Sequence, residues 1–222
     1  MDKVLVVSGY WRCGTSLTMQ IIKALDIQIY YNLEDEKLSK ELGKTWSNAN
    51  FFEDGYIASN GLDQNTYTRL IGKCVKVFDY GWKNMNNDVK KNILLIRCIR
   101  PKKDIIKSLQ KIDWTIYKEK IVSNPDYFDG STCFRSLDEC IEYVIETLDF
   151  NGIKSAYSTF DMNFLELIHK PKKTITNLIK WLKCHKFIKN PTKTNISKAY
   201  SIIKKKRKMI KKNVFYMTYF SP

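Results

Sequence analysis

The chain has 222 residues, 44% of them hydrophobic, and a formal net charge of +15 at pH 7. This length supports one sizeable hydrophobic core but is short for two, so we expect a single domain over residues 1–222. Six cysteines form no C-x-x-C pair and have no histidine at ligand spacing, which argues against a metal site. The first apolar run is too short for a signal peptide, so we expect a cytoplasmic protein with free thiols.

A short apolar run near the N-terminus leads into a loop bracketed by two glycines. Residues 3–8 are typical of a buried strand, and a helix is predicted over residues 15–26. Because the first turn of a helix leaves backbone N–H groups unpaired and carries partial positive charge, a loop that joins it can hold a phosphate. The loop over residues 9–16 is therefore a candidate phosphate site, with a tight turn that binds nothing as the alternative.

The loop differs from the one found in nucleotide-hydrolysing proteins. Gly9 and Gly14 have the spacing of the pattern G-x-x-x-x-G-K-[ST], but Thr15 stands where that pattern has its lysine. The only cation in the loop is Arg12. Since the pattern's lysine reaches the β- and γ-phosphates, its absence disfavours an ordinary ATPase or GTPase.

Two further strands are predicted over residues 73–78 and 92–97, and a helix follows over residues 102–111. Arg100 lies just after the second of these strands, and Ser108 lies eight positions later on the helix. An arginine presents a fork of donors that suits a phosphate, and a serine hydroxyl adds a neutral hydrogen bond. Taken singly, each residue is more typical of a solvated surface than of a binding site.

The remaining elements complete an α/β pattern. Ser136 and Glu139 have the spacing of a capping box before a predicted helix over residues 137–149, and a strand at 154–160 and a helix at 172–184 follow. The alternation predicts a central, mainly parallel sheet covered by helices on both faces, a three-layer α/β/α fold. Ligands of such folds bind at the carboxyl ends of the strands, where the glycine loop and Arg100 are both expected.

Residues 112–135 break this alternation. They contain the turn signals Asn124-Pro125 and Asp129-Gly130 and five aromatic residues. An insertion at this point would lie over the strand ends, where it would form a lid or a wall of the acceptor site. The alternative is a structural loop whose aromatic side chains pack on the core.

The glycine loop resembles the 5′-phosphosulfate-binding loop of the sulfotransferases, which reads approximately P-[KR]-S-G-T-[ST]-L. The spacing of Arg100 and Ser108 is similar to the motif with which that family binds the 3′-phosphate of its donor. A thinner likeness extends over residues 3–183, and residues 50–53 resemble a segment of bacterial sulfotransferase-like proteins. The resemblance implies a P-loop NTPase-like fold and transfer of a sulfuryl group from 3′-phosphoadenosine 5′-phosphosulfate to a hydroxyl or amine.

The resemblance also implies roles for single residues. Arg12 would stabilise the negative charge that develops on the bridging oxygen as the bond to sulfur breaks. Glu53 is the best candidate for the general base, in competition with the acidic residues at 34–36, whereas His169 and His185 lie far from the motifs in sequence. The expected donor-binding residues are Gly9, Trp11, Arg12, Cys13, Gly14, Thr15, Ser16, Arg100 and Ser108.

The positive charge is concentrated at the C-terminus, because every acidic residue lies at or before Glu166. A basic extension over residues 186–222 contains the run Lys204, Lys205, Lys206, Arg207 and Lys208. This run could bind nucleic acid, an acidic glycan, an anionic membrane or the donor's phosphates. The alternative is a solvated helix face, filled with lysine by a codon bias towards A and T. The apolar residues 214–220 are far fewer than the ~20 of a membrane-spanning helix, and we expect them to dock on the domain.

Three functions of different class therefore remain open from the sequence. The first is a sulfotransferase-like enzyme, whose acceptor, a small molecule, glycan or peptide, the sequence does not identify. The second is a P-loop phosphotransferase or nucleotide-binding protein, which the threonine at position 15 disfavours. The third is a non-enzymatic protein that binds polyanions through its basic C-terminal run.

Overall fold

The structure is a computed structural model that describes residues 2–33, 52, 54–111, 136–147 and 157–219. In the last helix the side chains are described as far as Ile210. The predicted lid at 112–135 and the candidate base Glu53 lie outside the described residues, as do the acidic residues at 34–36. These three expectations stay predictions.

Four parallel strands form the sheet, in the order β2-β1-β3-β4. Their bounds are β1 Val4–Gly9, β2 Cys74–Phe78, β3 Ile93–Ile99 and β4 Ser158–Asn163. All four strands were predicted, and the parallel sheet confirms the α/β class. The fourth strand, predicted over residues 154–160, pairs with β3 from Ser158, opposite Leu94, and extends beyond the predicted end to Asn163.

Ten helices are present in the described part of the chain. Before β3 they are α1 Thr15–Ala24, α2 Gly55–Asn60, α3 Gln64–Arg69, α4 Asp79–Asn84 and α5 Asn87–Lys91. After β3 they are α6 Lys102–Leu109, α7 Leu137–Thr147, α8 Phe164–His169, α9 Pro171–Cys184 and α10 Lys193–Tyr219. Within these residues, no helix is both long and apolar enough to cross a membrane.

Apolar residues cover both faces of the sheet. On β1, Leu5 and Val7 belong to a large cluster with α1 and α6 to α10, and Val4 and Val6 belong to a smaller cluster with α2 to α5. Each fully buried aliphatic side chain of this kind contributes roughly 1.5–3 kcal/mol. All of β1 is buried, so the loop that follows it begins on a rigid platform.

Several helices went unpredicted, for two physical reasons. The helices α2, α3, α5 and α8 begin with side-chain caps at Asp54, Asp63, Asn86 and Asn163, but each has only five or six residues, too few for a periodic signal. The helix α10 lies within the predicted basic extension and has no acidic residues that could pair with its lysines. Its buried Ala199 and Ile203 show that tertiary packing supports it, and it packs on α1.

Candidate functional site

Two glycines shape the loop between β1 and α1. A Cβ atom at Gly9 would lie 2.9 Å from the carbonyl oxygen of Cys98 on β3, so a larger residue would push the two strands apart. Gly14 has φ +96°, and a Cβ atom there would lie 2.6 Å from the ring of Phe164. Packing alone therefore requires glycine at both positions, in addition to any ligand that the loop binds.

Arg12 occupies the apex of the loop in a left-handed conformation, with φ +67°. This conformation costs a residue with a side chain about 1–2 kcal/mol. The Nε atom of Arg12 donates a 2.9 Å hydrogen bond to Ser108 Oγ on α6, and Arg100 Nη1 donates a 2.8 Å bond to the carbonyl oxygen of Arg12. The structure thus brings together three predicted site residues that lie 88 and 96 positions apart in sequence.

The parallel pairing of β1 with β3 explains why these residues meet. Ser8 lies opposite Arg97, so the loop after β1 and the segment after β3 leave the sheet side by side at the same edge. Arg100 lies three residues beyond this pair, and α6 then carries Ser108 back beside the loop. The sequence pattern predicted this convergence because both motifs follow buried parallel strands.

The aromatic ring of Phe164, at the start of α8, supports both parts of this edge. It packs against Gly14, and the guanidinium of Arg100 lies 4.5 Å from the centre of the ring. The Nε atom of Arg100 is buried and has no hydrogen-bond partner among the described residues. A stacked guanidinium is held in one plane, which prepares it to bind a planar or tetrahedral anion with its remaining donors.

Two predicted site residues turn their side chains away from the loop opening. Trp11 packs in the core against Phe78, with ring centres 6.0 Å apart, and Cys13 is buried beside Cys98. Burial raises the pKa of the Cys13 thiol far above its ordinary value, so the thiol stays protonated. The backbone N–H of Cys13 donates a 3.1 Å hydrogen bond to the carbonyl oxygen of Tyr10 within the loop. Neither of these two side chains is placed to hold a ligand at the loop opening.

The first turn of α1 closes the loop. Gly14 offers no side chain to cap this helix, and the first intrahelical bond runs from Thr18 N–H to Gly14 O at 2.9 Å. Thr15 and Ser16 are both buried in this turn. An uncapped helix start carries partial positive charge and therefore favours a bound anion.

The C-terminal helix adds a third cation to the two arginines. Ala199 and Ile203 bury one face of α10, and Lys206 lies one turn further along that face, half-buried. Burial, together with repulsion from Arg12 and Arg100, lowers the pKa of Lys206 to about 8. Burial and the neighbouring Arg100 also lower the pKa of Arg12 to about 10, and burial lowers that of Arg100. Three partly desolvated cations at one place favour a multiply charged anion between them.

The sequence prediction had included Lys206 only as one of five residues in the basic run. The structure divides that run, because Lys204, Lys205 and Lys208 are exposed whereas Lys206 and Arg207 are half-buried. The periodicity of Ile196, Ala199 and Ile203 is the sequence signal that could have identified the inward face.

A buried lysine that was not predicted as a site residue contacts the loop from β2. Lys76 is 2% exposed, and its Nζ atom donates a 3.2 Å hydrogen bond to Ser16 Oγ in the first turn of α1. The ammonium also lies 5.1 Å from the centre of the Phe78 ring. A charged residue within an otherwise apolar strand is the signal that could have marked it.

A buried carboxylate lies at the end of the same strand. Asp79 is 2% exposed, and burial raises its pKa. Its Oδ2 atom accepts a 3.4 Å hydrogen bond from Tyr143, whose ring stacks on Tyr10 of the loop with centres 5.4 Å apart. Its Oδ1 atom has no hydrogen-bond partner within the described residues. Asp79 is therefore a carboxylate of raised basicity beside the loop, and sequence reasoning did not select it.

The chain matches no protein-family model and no curated protein sequence. In the part of the chain that the structure describes, no group of three histidine, cysteine or acidic residues is arranged to hold a metal ion.

The two histidines lie in the C-terminal half of the chain. His185 packs against Trp181 and Tyr157, with ring centres 5.2 Å and 5.9 Å away, and His169 ends α8.

Chemically, the loop edge offers backbone donors, three cations and a hydroxyl for an anion, and one carboxylate that can take a proton.

Proposed function

We propose that the protein binds 3′-phosphoadenosine 5′-phosphosulfate and transfers its sulfuryl group to a hydroxyl or amine. The observation that carries this proposal is the contact network of Arg12, Arg100 and Ser108 beside the glycine loop. A donor with phosphates at both its 3′ and 5′ positions needs two anion subsites a nucleoside apart. The α1 N-terminus is suited to the 5′-phosphosulfate, and Arg100 with Ser108 is suited to the 3′-phosphate.

The parallel sheet with helices on both faces is consistent with a P-loop NTPase-like fold, which forms part of this proposal. Thr15 in place of the pattern's lysine, and Arg12 at the loop apex, favour a phosphosulfate over a nucleoside triphosphate. Because Arg12 donates a hydrogen bond to Ser108, its guanidinium is suited to lie between the 5′-phosphosulfate subsite and the 3′-phosphate subsite. The half-buried Lys206 adds positive charge to the same region.

The chemistry requires one bond to form and one to break. The acceptor's oxygen or nitrogen bonds to sulfur while the bond between sulfur and the bridging phosphate oxygen breaks, and 3′-phosphoadenosine 5′-phosphate leaves with the negative charge. Arg12 stabilises that charge as a hydrogen-bond donor and stays protonated at neutral pH, even though its pKa is lowered to about 10. The acceptor's proton passes to a carboxylate.

Among the described residues, Asp79 is the carboxylate best suited to accept that proton. Its raised pKa brings its basicity closer to the operating pH, which general base catalysis requires. Its hydrogen bond with Tyr143, which stacks on Tyr10, connects it to the loop. Glu53, which the sequence favoured, stays a prediction.

The test is a thermal-shift and calorimetric comparison of 3′-phosphoadenosine 5′-phosphate with AMP and with ATP plus Mg²⁺. We expect the bisphosphate to stabilise the protein most, because a ligand raises apparent stability only where it binds the folded state. Arg100→Ala should weaken bisphosphate binding by about ten- to hundredfold, the range for hydrogen bonds to charged groups. Lys107→Ala, an exposed neighbour of Ser108 on α6, is the matched control and should change nothing.

Two outcomes would overturn the proposal. If no bisphosphate binding is detected, the sulfotransferase assignment fails. If ATP with Mg²⁺ stabilises the protein more than the bisphosphate does, the phosphotransferase becomes the better assignment.

The exposure of Lys204, Lys205 and Lys208 supports a second candidate function, binding of a polyanion on the outer face of α10. Substitution of these three lysines by alanine should then reduce retention on heparin while bisphosphate affinity is unchanged. Equal retention of the substituted and unsubstituted proteins would leave no role for this face in polyanion binding.

A further inference from the structure

A small polar cluster joins the glycine loop, the end of β2 and α7. The Tyr143 hydroxyl on α7 donates a 3.4 Å hydrogen bond to Asp79 Oδ2. The Tyr143 ring also stacks on Tyr10 of the loop, with centres 5.4 Å apart and planes at 19°. The Tyr10 hydroxyl lies 4.0 Å from the Sγ atom of Cys140, which precedes Tyr143 by one turn of α7. Tyr143 thus contacts both the carboxylate and the loop.

The two carboxylate oxygens of Asp79 have different surroundings. Oδ2 accepts the bond from Tyr143 and lies 3.7 Å from Lys83 Nζ, one turn along α4. Oδ1 is buried and has no hydrogen-bond partner within the described residues. The contacts to Oδ2 orient the carboxylate group, and Oδ1 is the oxygen that can take a proton without losing a protein partner.

The stability of the fold does not account for this arrangement. O–H···O hydrogen bonds usually measure about 2.5–3.0 Å, so the bond from Tyr143 is long. A buried carboxylate with so few close partners costs free energy, and an apolar side chain of similar size would avoid that cost. Hydrogen bonds of catalytic groups are often long in ligand-free proteins and shorten when the reacting ligands bind. A carboxylate retained under these conditions indicates a role in proton transfer.

We propose that Tyr143 is the positioning residue of the general base: it holds Asp79 through Oδ2, so that Oδ1 takes the acceptor's proton beside the glycine loop. The proposal rests on the proposed function and deepens it. The acceptor's oxygen or nitrogen bonds to sulfur as the bond from sulfur to the bridging oxygen breaks, and the acceptor's proton passes to Oδ1. Stacking on Tyr10, two residues before Arg12, keeps the base in a fixed relation to the loop.

The groups around Asp79 predict how its protonation responds to mutation. Burial raises the pKa of Asp79, whereas Lys83 on α4 and the Tyr143 hydroxyl on α7 lower it. The carboxylate also interacts with Tyr10 and Cys13 of the loop, but burial raises the pKa of both groups, so they are neutral at neutral pH. Tyr143→Phe, which keeps the ring, should therefore raise the pKa of Asp79 further. Lys83→Met should also raise this pKa, but through a partly exposed charge that salt can screen.

Carboxyl-carbon NMR of isotopically labelled aspartate measures this pKa without knowledge of the acceptor, and Asp79→Asn identifies the resonance by its absence. We expect Asp79 to titrate above its ordinary value, and higher still in Tyr143→Phe at every salt concentration. Lys83→Met should differ from the unsubstituted protein in dilute salt and approach it in concentrated salt. Tyr56→Phe is the matched control, because Tyr56 is exposed on α2, and it should change nothing.

A second titration, with 3′-phosphoadenosine 5′-phosphate bound, tests whether the base faces the donor. The bound 5′-phosphate should raise the pKa of Asp79, because it disfavours another negative charge beside it. This measurement uses the unsubstituted protein, so the proposal stays testable even if Tyr143→Phe folds poorly.

Two results would overturn the role of Tyr143. One is a folded Tyr143→Phe variant in which Asp79 titrates as in the unsubstituted protein, and the other is a pKa of Asp79 that bound bisphosphate does not move. Either result would leave the proposed function intact, with its base elsewhere, as long as the bisphosphate binds. Absence of bisphosphate binding would instead remove the proposed function, and the role of Tyr143 with it.

Discussion

The glycine loop at 9–16 and the helix α10 deliver cations to one edge of the sheet by different routes. Arg12 is part of a continuous motif, and its position follows from a buried strand, two glycines and the start of a helix. Lys206 reaches the same edge only because Ala199 and Ile203 pack α10 against the rest of the domain. The loop contribution is therefore local, and the helix contribution depends on tertiary structure.

This difference predicts unequal consequences of mutation. The glycine loop and Asp79 directly follow strands that are buried throughout. Substitutions there should strongly lower the reaction rate or the stability of the fold. A lysine on α10 that is only half-buried has its charge screened by water, so its loss should have a smaller effect on ligand binding. The predictions below test this ranking, from the largest expected effect to the smallest.

Asp79→Asn tests the strand-end side of the comparison and should have the largest effect. If Asp79 is the general base, transfer of the sulfuryl group to the acceptor, measured as release of 3′-phosphoadenosine 5′-phosphate, should slow by about 10²–10⁴-fold, the range for loss of general acid–base catalysis. Donor affinity should be almost unchanged. Because burial raises the pKa of Asp79, the unsubstituted rate should fall as pH decreases through that raised pKa, and the variant should lose this dependence.

Asp161→Asn is the matched control for Asp79→Asn. Asp161 lies on β4, on the opposite side of the sheet from β2, where its carboxylate accepts two 2.7 Å hydrogen bonds from Arg97. Its removal should lower the stability of the protein and leave the rate per folded molecule unchanged. Equal rates for Asp79→Asn and the unsubstituted protein would show that the base lies elsewhere, with Glu53 as the next candidate.

Gly14→Ala tests whether the conformation of the glycine loop depends on the close contact between position 14 and Phe164. Left-handed backbone strain and the close approach to Phe164 act together, and we expect a loss of about 3 kcal/mol in the free energy of unfolding. Gly72→Ala separates the two causes, because Gly72 has φ +80° with open space around its Cβ position. It should cost only about 1–2 kcal/mol.

Chemical denaturation of the two alanine variants measures this difference. Addition of Phe164→Ala to Gly14→Ala should recover part of the difference, since it removes the ring that the new methyl group meets. A Gly14→Ala variant no less stable than Gly72→Ala would show that the loop can shift away from Phe164.

Much of the fold could be predicted because its signals are local. The buried strands read as apolar runs, and the N–H of Glu139 does donate a hydrogen bond to Ser136 Oγ, as the capping pattern predicted. The contact between Arg12, Arg100 and Ser108 could also be predicted, because all strands of a parallel sheet have their carboxyl ends at the same edge.

Sequence reasoning missed Lys76 and Asp79, because the contacts of these residues depend on strand register and on helix packing. Lys76 contacts Ser16 only because β2 pairs with β1 at Val7, and one residue of slip would turn its side chain to the opposite face. Asp79 accepts its hydrogen bond from Tyr143 of α7, which lies 64 positions away in sequence. No periodicity within a single segment contains this information.

Lys206→Met tests the helix side of the comparison and should have the smallest effect on donor affinity, a loss of about tenfold at neutral pH. Lys204→Met and Lys205→Met remove the same charge from exposed positions on the same helix. If the contribution of α10 is specific, only the Lys206 variant weakens bisphosphate binding. Equal losses in all three variants would mean that α10 acts through its net charge and not through one positioned ammonium.

The pH dependence of the same variants sharpens the test, because affinity and stability should move in opposite directions. With a pKa of about 8, Lys206 loses its charge as pH rises above that value, so bisphosphate affinity should fall there by at most about tenfold per pH unit. The unfolded chain keeps the ordinary lysine pKa of 10.5 and binds more protons between these two values. The free energy of unfolding should therefore rise with pH in that interval, and Lys206→Met should abolish both trends.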